Sequence, residues 1–176
     1  MHIISLIVGN ACSLFAMGSD SISSSRKNVN SMLWFQNLSQ LFYAVGSILL
    51  KGYSAAVQNA VCILRNLAVI KGIKSKTVEW VLIILGVVIG LLSNNLGFIG
   101  LLPILANLQY SLAIFKFRSN ERALKISFLI TCILFIFFSL KILNFIGVIT
   151  NTVVAISTII MLIKSKPSAH NESEDT

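Results

Sequence analysis

The residues of this chain that could do chemistry are amides, hydroxyls and one arginine, set in apolar surroundings at helical spacing. Gln36, Gln40, Tyr43 and Ser47 follow one another at four, three and four residues, which puts them on one helical face. Asn59 and Asn66 lie two turns apart on a common face of the next apolar segment. Asn107 with Tyr110, and Thr150, Asn151 and Thr158, add polar positions later in the chain. A polar stripe in a lipid-embedded helix must face protein or water. Such amides recognise a neutral polar solute through paired donors and acceptors. They also tie helices together, for about 0.6 kcal/mol each on average. Arg65 is the only Lys or Arg well inside an apolar segment. It either attracts an anionic group at a cytoplasmic mouth or, only six residues and roughly 9 Å of helix from Lys71, snorkels to the inner interface.

Catalytic constellations are not expected. The two histidines, His2 and His170, stand near the chain ends, and no Gly-rich phosphate loop or Ser, His and Asp set occurs in the sequence. Cys12, Cys62 and Cys132 lack paired spacing and read as small hydrophobes, so neither a disulfide framework nor a metal site is implied. The sequence therefore predicts no enzyme activity and no cofactor.

What must position these residues is a set of membrane-spanning helices. Of 176 residues 56% are hydrophobic and 11% charged, a balance that no soluble domain of this size needs for one core. A span takes roughly 17 to 25 mainly apolar residues. Seven segments qualify, some of them short: Ile3 to Gly18, Met32 to Leu50, Ser54 to Ile70, Trp80 to Leu92, Gly97 to Phe115, Leu124 to Leu140 and Leu143 to Ile163. The first reads as a retained helix rather than a signal peptide, because only His2 stands where a basic n-region would be.

Charge placement orients the spans. Arg26, Lys27, Lys71, Lys74, Lys76, Lys116, Arg118, Arg122, Lys125, Lys164 and Lys166 fall in alternate connections and the tail, against Lys51 and Lys141 in the others. Eleven against two predicts an outside N-terminus and a cytoplasmic C-terminus. The net charge of +8 then needs no nucleic-acid partner. Asp20 and Glu121 are assigned to connections and Glu79 to the start of the fourth helix, so no span contains a carboxylate, which favours a facilitator over a proton-driven carrier. Residues 164–176 turn polar and acidic and read as a disordered cytoplasmic tail.

Sliding residues 5 to 74 by 92 positions lays helices one to three over five to seven. Arg26 then meets Arg118, Asn28 meets Asn120, Ser47 meets Ser139, Asn59 meets Asn151 and Lys74 meets Lys166. With the fourth helix as spacer, both copies keep one orientation, a parallel repeat about an axis along the membrane normal. The expected fold is an all-α membrane protein of seven transmembrane helices in a three-plus-one-plus-three order. It comprises a bundle over 1–77, a linker helix over 78–96, a second bundle over 97–163 and the tail.

That arrangement resembles the SWEET and PQ-loop group of small-molecule facilitators. The stretch from Leu49 through Lys51-Gly52-Tyr53 to Gln58-Asn59, with Arg65-Asn66, is similar to the YgjV family of bacterial inner-membrane proteins. The resemblance to SWEET proteins implies that Asn59 and Asn151 face each other in a central pocket and bind substrate. Gln36, Gln40, Tyr43, Arg65, Asn66 and Asn107 complete the candidate site. The chain departs from that group in having only Pro103 among its spans, where SWEET proteins carry four gating prolines. The expected function is facilitated transport of a small polar, sugar-like metabolite across the bacterial inner membrane. A membrane receptor or interaction protein of the same architecture is the alternative, and homo-oligomerisation is left open.

Overall fold

The computed structural model describes residues 3–24, 29–73, 75–116 and 121–164. Among them are seven α-helices and no strand. They are α1 (Ile3–Ser24), α2 (Val29–Leu49), α3 (Tyr53–Ile70), α4 (Lys76–Leu92), α5 (Leu102–Lys116), α6 (Glu121–Lys141) and α7 (Phe145–Lys164), with a 3-10 turn at Gly97–Leu101 before α5. The aligned pairs Arg26 with Arg118, Asn28 with Asn120 and Lys74 with Lys166, and the tail beyond Lys164, lie outside the described residues.

Several boundaries differ from the hydropathy reading. Helix α1 continues through the polar run after Gly18 because Ser19 and Ser21 donate their hydroxyls to the Phe15 and Met17 carbonyls, 3.1 and 2.9 Å away. Such backward bonds let serine stay in a helix. Asp20 therefore belongs to α1 and not to a connection. Glu121 likewise opens α6. Helix α4 begins at Lys76, with Glu79 in its first turn where an acid suits the dipole. Pro103 sits in the first turn of α5, where its missing N–H is harmless.

The exterior is apolar and much of the interior is polar. Ile3, Ile7, Phe15, Leu41, Ile84, Leu92, Phe137 and Ile156 are exposed, whereas Ser39, Ser54, Gln58, Asn59, Asn66, Asn107 and Thr150 are buried. Water would not tolerate that inversion; hydrocarbon requires it. Helices α1 (over Ile3–Ser23) and α3 (Tyr53–Ile70) are each long and apolar enough to cross a bilayer. Trp34 and Trp80 are both exposed near the starts of α2 and α4, as aromatic residues at a membrane interface are.

Helix α2 packs between α1 and α3, and α6 packs between α5 and α7. Helix α4 bridges α3 and α5, while α1 meets α7 and α3 meets α5. The turns after α2 and α6 are built alike, 92 residues apart. Lys51 and Leu143 both take left-handed φ, 60° and 58°. Gly52 N–H donates to the Ser47 carbonyl at 2.7 Å, and Asn144 N–H to the Ser139 carbonyl at 2.9 Å. Each is a Schellman-type helix stop. The carbonyl of each left-handed residue accepts from an asparagine, Asn95 at 2.8 Å for Lys51 and Asn10 at 3.1 Å for Leu143. At this end Leu50, Ala55, Phe138 and Ile142 form an apolar cluster, with Leu6, Leu96, Ile99, Leu102 and Phe135 packed around it.

Small residues set the closest helix approach. A Cβ on Gly46 would stand 2.9 Å from the Gly9 carbonyl oxygen and 3.3 Å from the Cys12 Cβ. Gly46→Ala is therefore expected to push α1 off α2 and to cost about 1–3 kcal/mol. Unfolding in mixed micelles measures it, and an unchanged midpoint refutes the close approach.

Candidate functional site: a buried polar seam between helices

The seam between α3 and α5 holds the densest side-chain network. Gln58, Cys62 and Arg65 recur at four and three residues on α3, and Asn107 and Ser111 at four on α5, so the two rows face each other along one contact. Asn107 is the hub. Its Nδ2 donates to Gln58 Oε1 at 2.7 Å, and its Oδ1 accepts from Cys62 Sγ at 3.2 Å, Arg65 Nη1 at 3.4 Å and Ser111 Oγ at 3.5 Å. Arg65 Nη1 also donates to Ser111 Oγ at 3.1 Å, and its guanidinium lies 5.5 Å from the centre of the Tyr110 ring. Gln58 Nε2 donates to the Gly86 carbonyl of α4 at 2.8 Å. Gly86 and Gly90 make room for that amide, since a Cβ on Gly90 would collide with it.

Arg65 does not snorkel. It is 7% exposed and turned into the seam, where neutral acceptors and an aromatic face hold it. A narrow crevice between α3 and α4 reaches it, lined also by Val69, Ile73, Val78 and Glu79. Sequence spacing placed Arg65 correctly on α3 but left its direction open. Gln58 and Ser111 were missed as network members because each reads as an ordinary polar residue until the facing helix is known.

A second polar group joins α1, α2 and α7. Asp20 stands beside Ser39 and Tyr43 of α2, and Tyr43 stands beside Thr150 of α7. The expectation of spans free of carboxylates thus fails at Asp20, which lies within α1, as does the argument against proton coupling built on it. Thr150 further donates to the Ile146 carbonyl at 2.9 Å.

The remaining candidates divide. Asn59 and Asn66 are buried, and among the described residues neither amide has a hydrogen-bond partner. Asn151 is half-buried, and its Nδ2 donates at 2.7 Å to the Gly147 carbonyl of its own helix. Gln36 and Gln40 are half-buried on α2; the Gln36 carbonyl accepts from Ser39 at 2.9 Å. Asn37, not a candidate from the sequence, is buried with both amide atoms unpartnered. Gln109 bonds Ser127 and Thr131, which fastens α5 to α6 and leaves it no free role. No cluster of three or more His, Cys, Asp or Glu exists among the described residues.

An all-helical chain with an apolar exterior and polar seams inside is an integral membrane protein. More particularly, residues 7–168 match the family model Imp-YgjV, described as bacterial inner membrane protein, and the chain belongs to that family. No curated protein and no solved structure matches it.

Proposed function

We propose that the protein is a transporter, a facilitator of a small polar metabolite, built of seven spans with the N-terminus outside and the C-terminus in the cytoplasm. The observation that carries this reading is the pair of asparagines Asn59 and Asn66, buried residues whose amides have no hydrogen-bond partner among the described residues, on the helix that also buries Arg65. Unmade hydrogen bonds in a membrane interior cost free energy, about 1–3 kcal/mol per group in proteins, and a solute that makes them recovers it.

The matched turns at Lys51 and Leu143 support a three-plus-one-plus-three, SWEET-like architecture. An axis that exchanges the bundles maps the α3–α5 contact onto α7–α1, and both contacts occur. The same operation pairs Asn59 with Asn151. In this reading Gln36, Gln40, Tyr43 and Asn107 line the path beside them, no chemical step is catalysed, and the apolar cluster around Phe138 is the closed outer end.

Uptake into proteoliposomes tests the reading against that of a receptor, which binds without transfer. Asn59→Ala is expected to weaken solute binding and uptake about tenfold with less than about 1 kcal/mol lost in stability. Asn151→Ala is expected to do so more mildly, because half of its amide already bonds Gly147. Binding without uptake for every solute sinks the transporter and leaves the receptor.

A further inference from the structure

Arg65 is a buried cation. Among the described residues no carboxylate pairs with it. Its bonds use one guanidinium nitrogen, Nη1, on neutral oxygens at 3.1 and 3.4 Å, so among the described residues the other arm of the fork makes no hydrogen bond. A guanidinium presents five donors in a plane suited to two oxygens of one oxyanion. Burying such a charge with neutral partners alone is unfavourable in protein and more so in lipid. Mere helix glue is made more cheaply from amides, as Gln109 of α5 shows with Ser127 and Thr131 of α6. Tyr110 under the guanidinium fixes its plane, and Asn107 and Ser111 fix its edge.

We infer that Arg65 is the anchor for an oxyanion, a carboxylate or phosphate carried by the small solute, held by the free edge of its guanidinium at the α3–α5 seam. Only the statement that this solute crosses the membrane rests on the transport reading. The ligand class thereby shifts from neutral sugar-like solutes to small organic acids or phosphorylated metabolites. Because Arg65 belongs to α3 and its positioning partners to α5, an anion bound there bears on both sides of the seam.

The test uses purified full-length protein in a neutral detergent and follows Tm. The probes are lactate, succinate and inorganic phosphate against lactamide and succinamide, with phosphatidylglycerol vesicles as a separate arm. At least one anion is expected to raise Tm where its amide does not. Arg65→Gln is expected to weaken that binding about 10- to 100-fold, and Arg65→Lys, which keeps the charge and the fold but loses the fork, by a smaller factor. The inference is overturned if no probe anion binds, if the amides bind as well as the anions, or if Arg65→Lys binds every probe like the parent. It is overturned as well if only the phosphatidylglycerol vesicles give an Arg65-dependent shift, which assigns the site to a lipid headgroup. Uptake of solutes irrespective of charge sinks this inference and spares the transporter, whereas Arg65-dependent anion binding without uptake does the reverse.

Discussion

Asn107→Leu is expected to lower the unfolding free energy by about 3–5 kcal/mol, although it removes only one neutral side chain. The amide is the common partner of Gln58, Cys62, Arg65 and Ser111. Leucine fills a similar volume, so packing is not the main loss. What leucine cannot do is receive the guanidinium, which is left with Ser111 and the Tyr110 ring, or donate to Gln58, whose Oε1 is then orphaned. The comparison is Gln109→Leu on the same helix, which breaks neutral bonds to Ser127 and Thr131 only. Its expected loss is about 1 kcal/mol. Reversible unfolding of both variants in mixed micelles decides the matter. Equal losses would mean that Arg65 is hydrated through the α3–α4 crevice rather than held by Asn107.

Periodicity made the helices legible, and the connections Lys51-Gly52-Tyr53 and Lys141-Ile142 are too short for anything but hairpins. The turns after α2 and α6, 92 residues apart, carry matching backbone bonds although Lys51 stands in one where Leu143 stands in the other. Turn geometry is kept by φ and hydrogen bonds, so it survives substitution that erases sequence likeness. Three things were not legible. Serine hydroxyls bonding backward extend α1 and carry Asp20 into the protein, a local bond that hydropathy does not weigh. The direction of Arg65 depends on which face of α3 meets α5, a tertiary fact. Asn151 shows the opposite failing: its position matches Asn59, yet one of its donors turns back to Gly147, which spacing does not forbid.

Phe138→Ala is expected to open the end of the molecule that carries the α2–α3 and α6–α7 turns. Phe138 is 1% exposed and lies in one cluster with Leu50, Ala55 and Ile142, so its ring joins residues from both halves of the chain. The fit is close: a Cβ on Gly52 would stand 2.9 Å from Phe138 Cζ, so glycine alone lets the turn cover the ring. Truncating a buried phenylalanine costs about 3–5 kcal/mol where the site does not collapse. If half of that falls on local opening, the open population rises at least about tenfold, since a factor of ten corresponds to 1.4 kcal/mol. Cys132, buried on α6 six residues before Phe138, reports it. With Cys12 and Cys62 replaced by serine, labelling of Cys132 by a membrane-impermeant maleimide is expected to accelerate by that factor in Phe138→Ala. In Phe137→Ala, which trims a lipid-facing ring, it is expected to stay within twofold. Equal labelling in the two variants would show that the cluster packs the helices without closing the path.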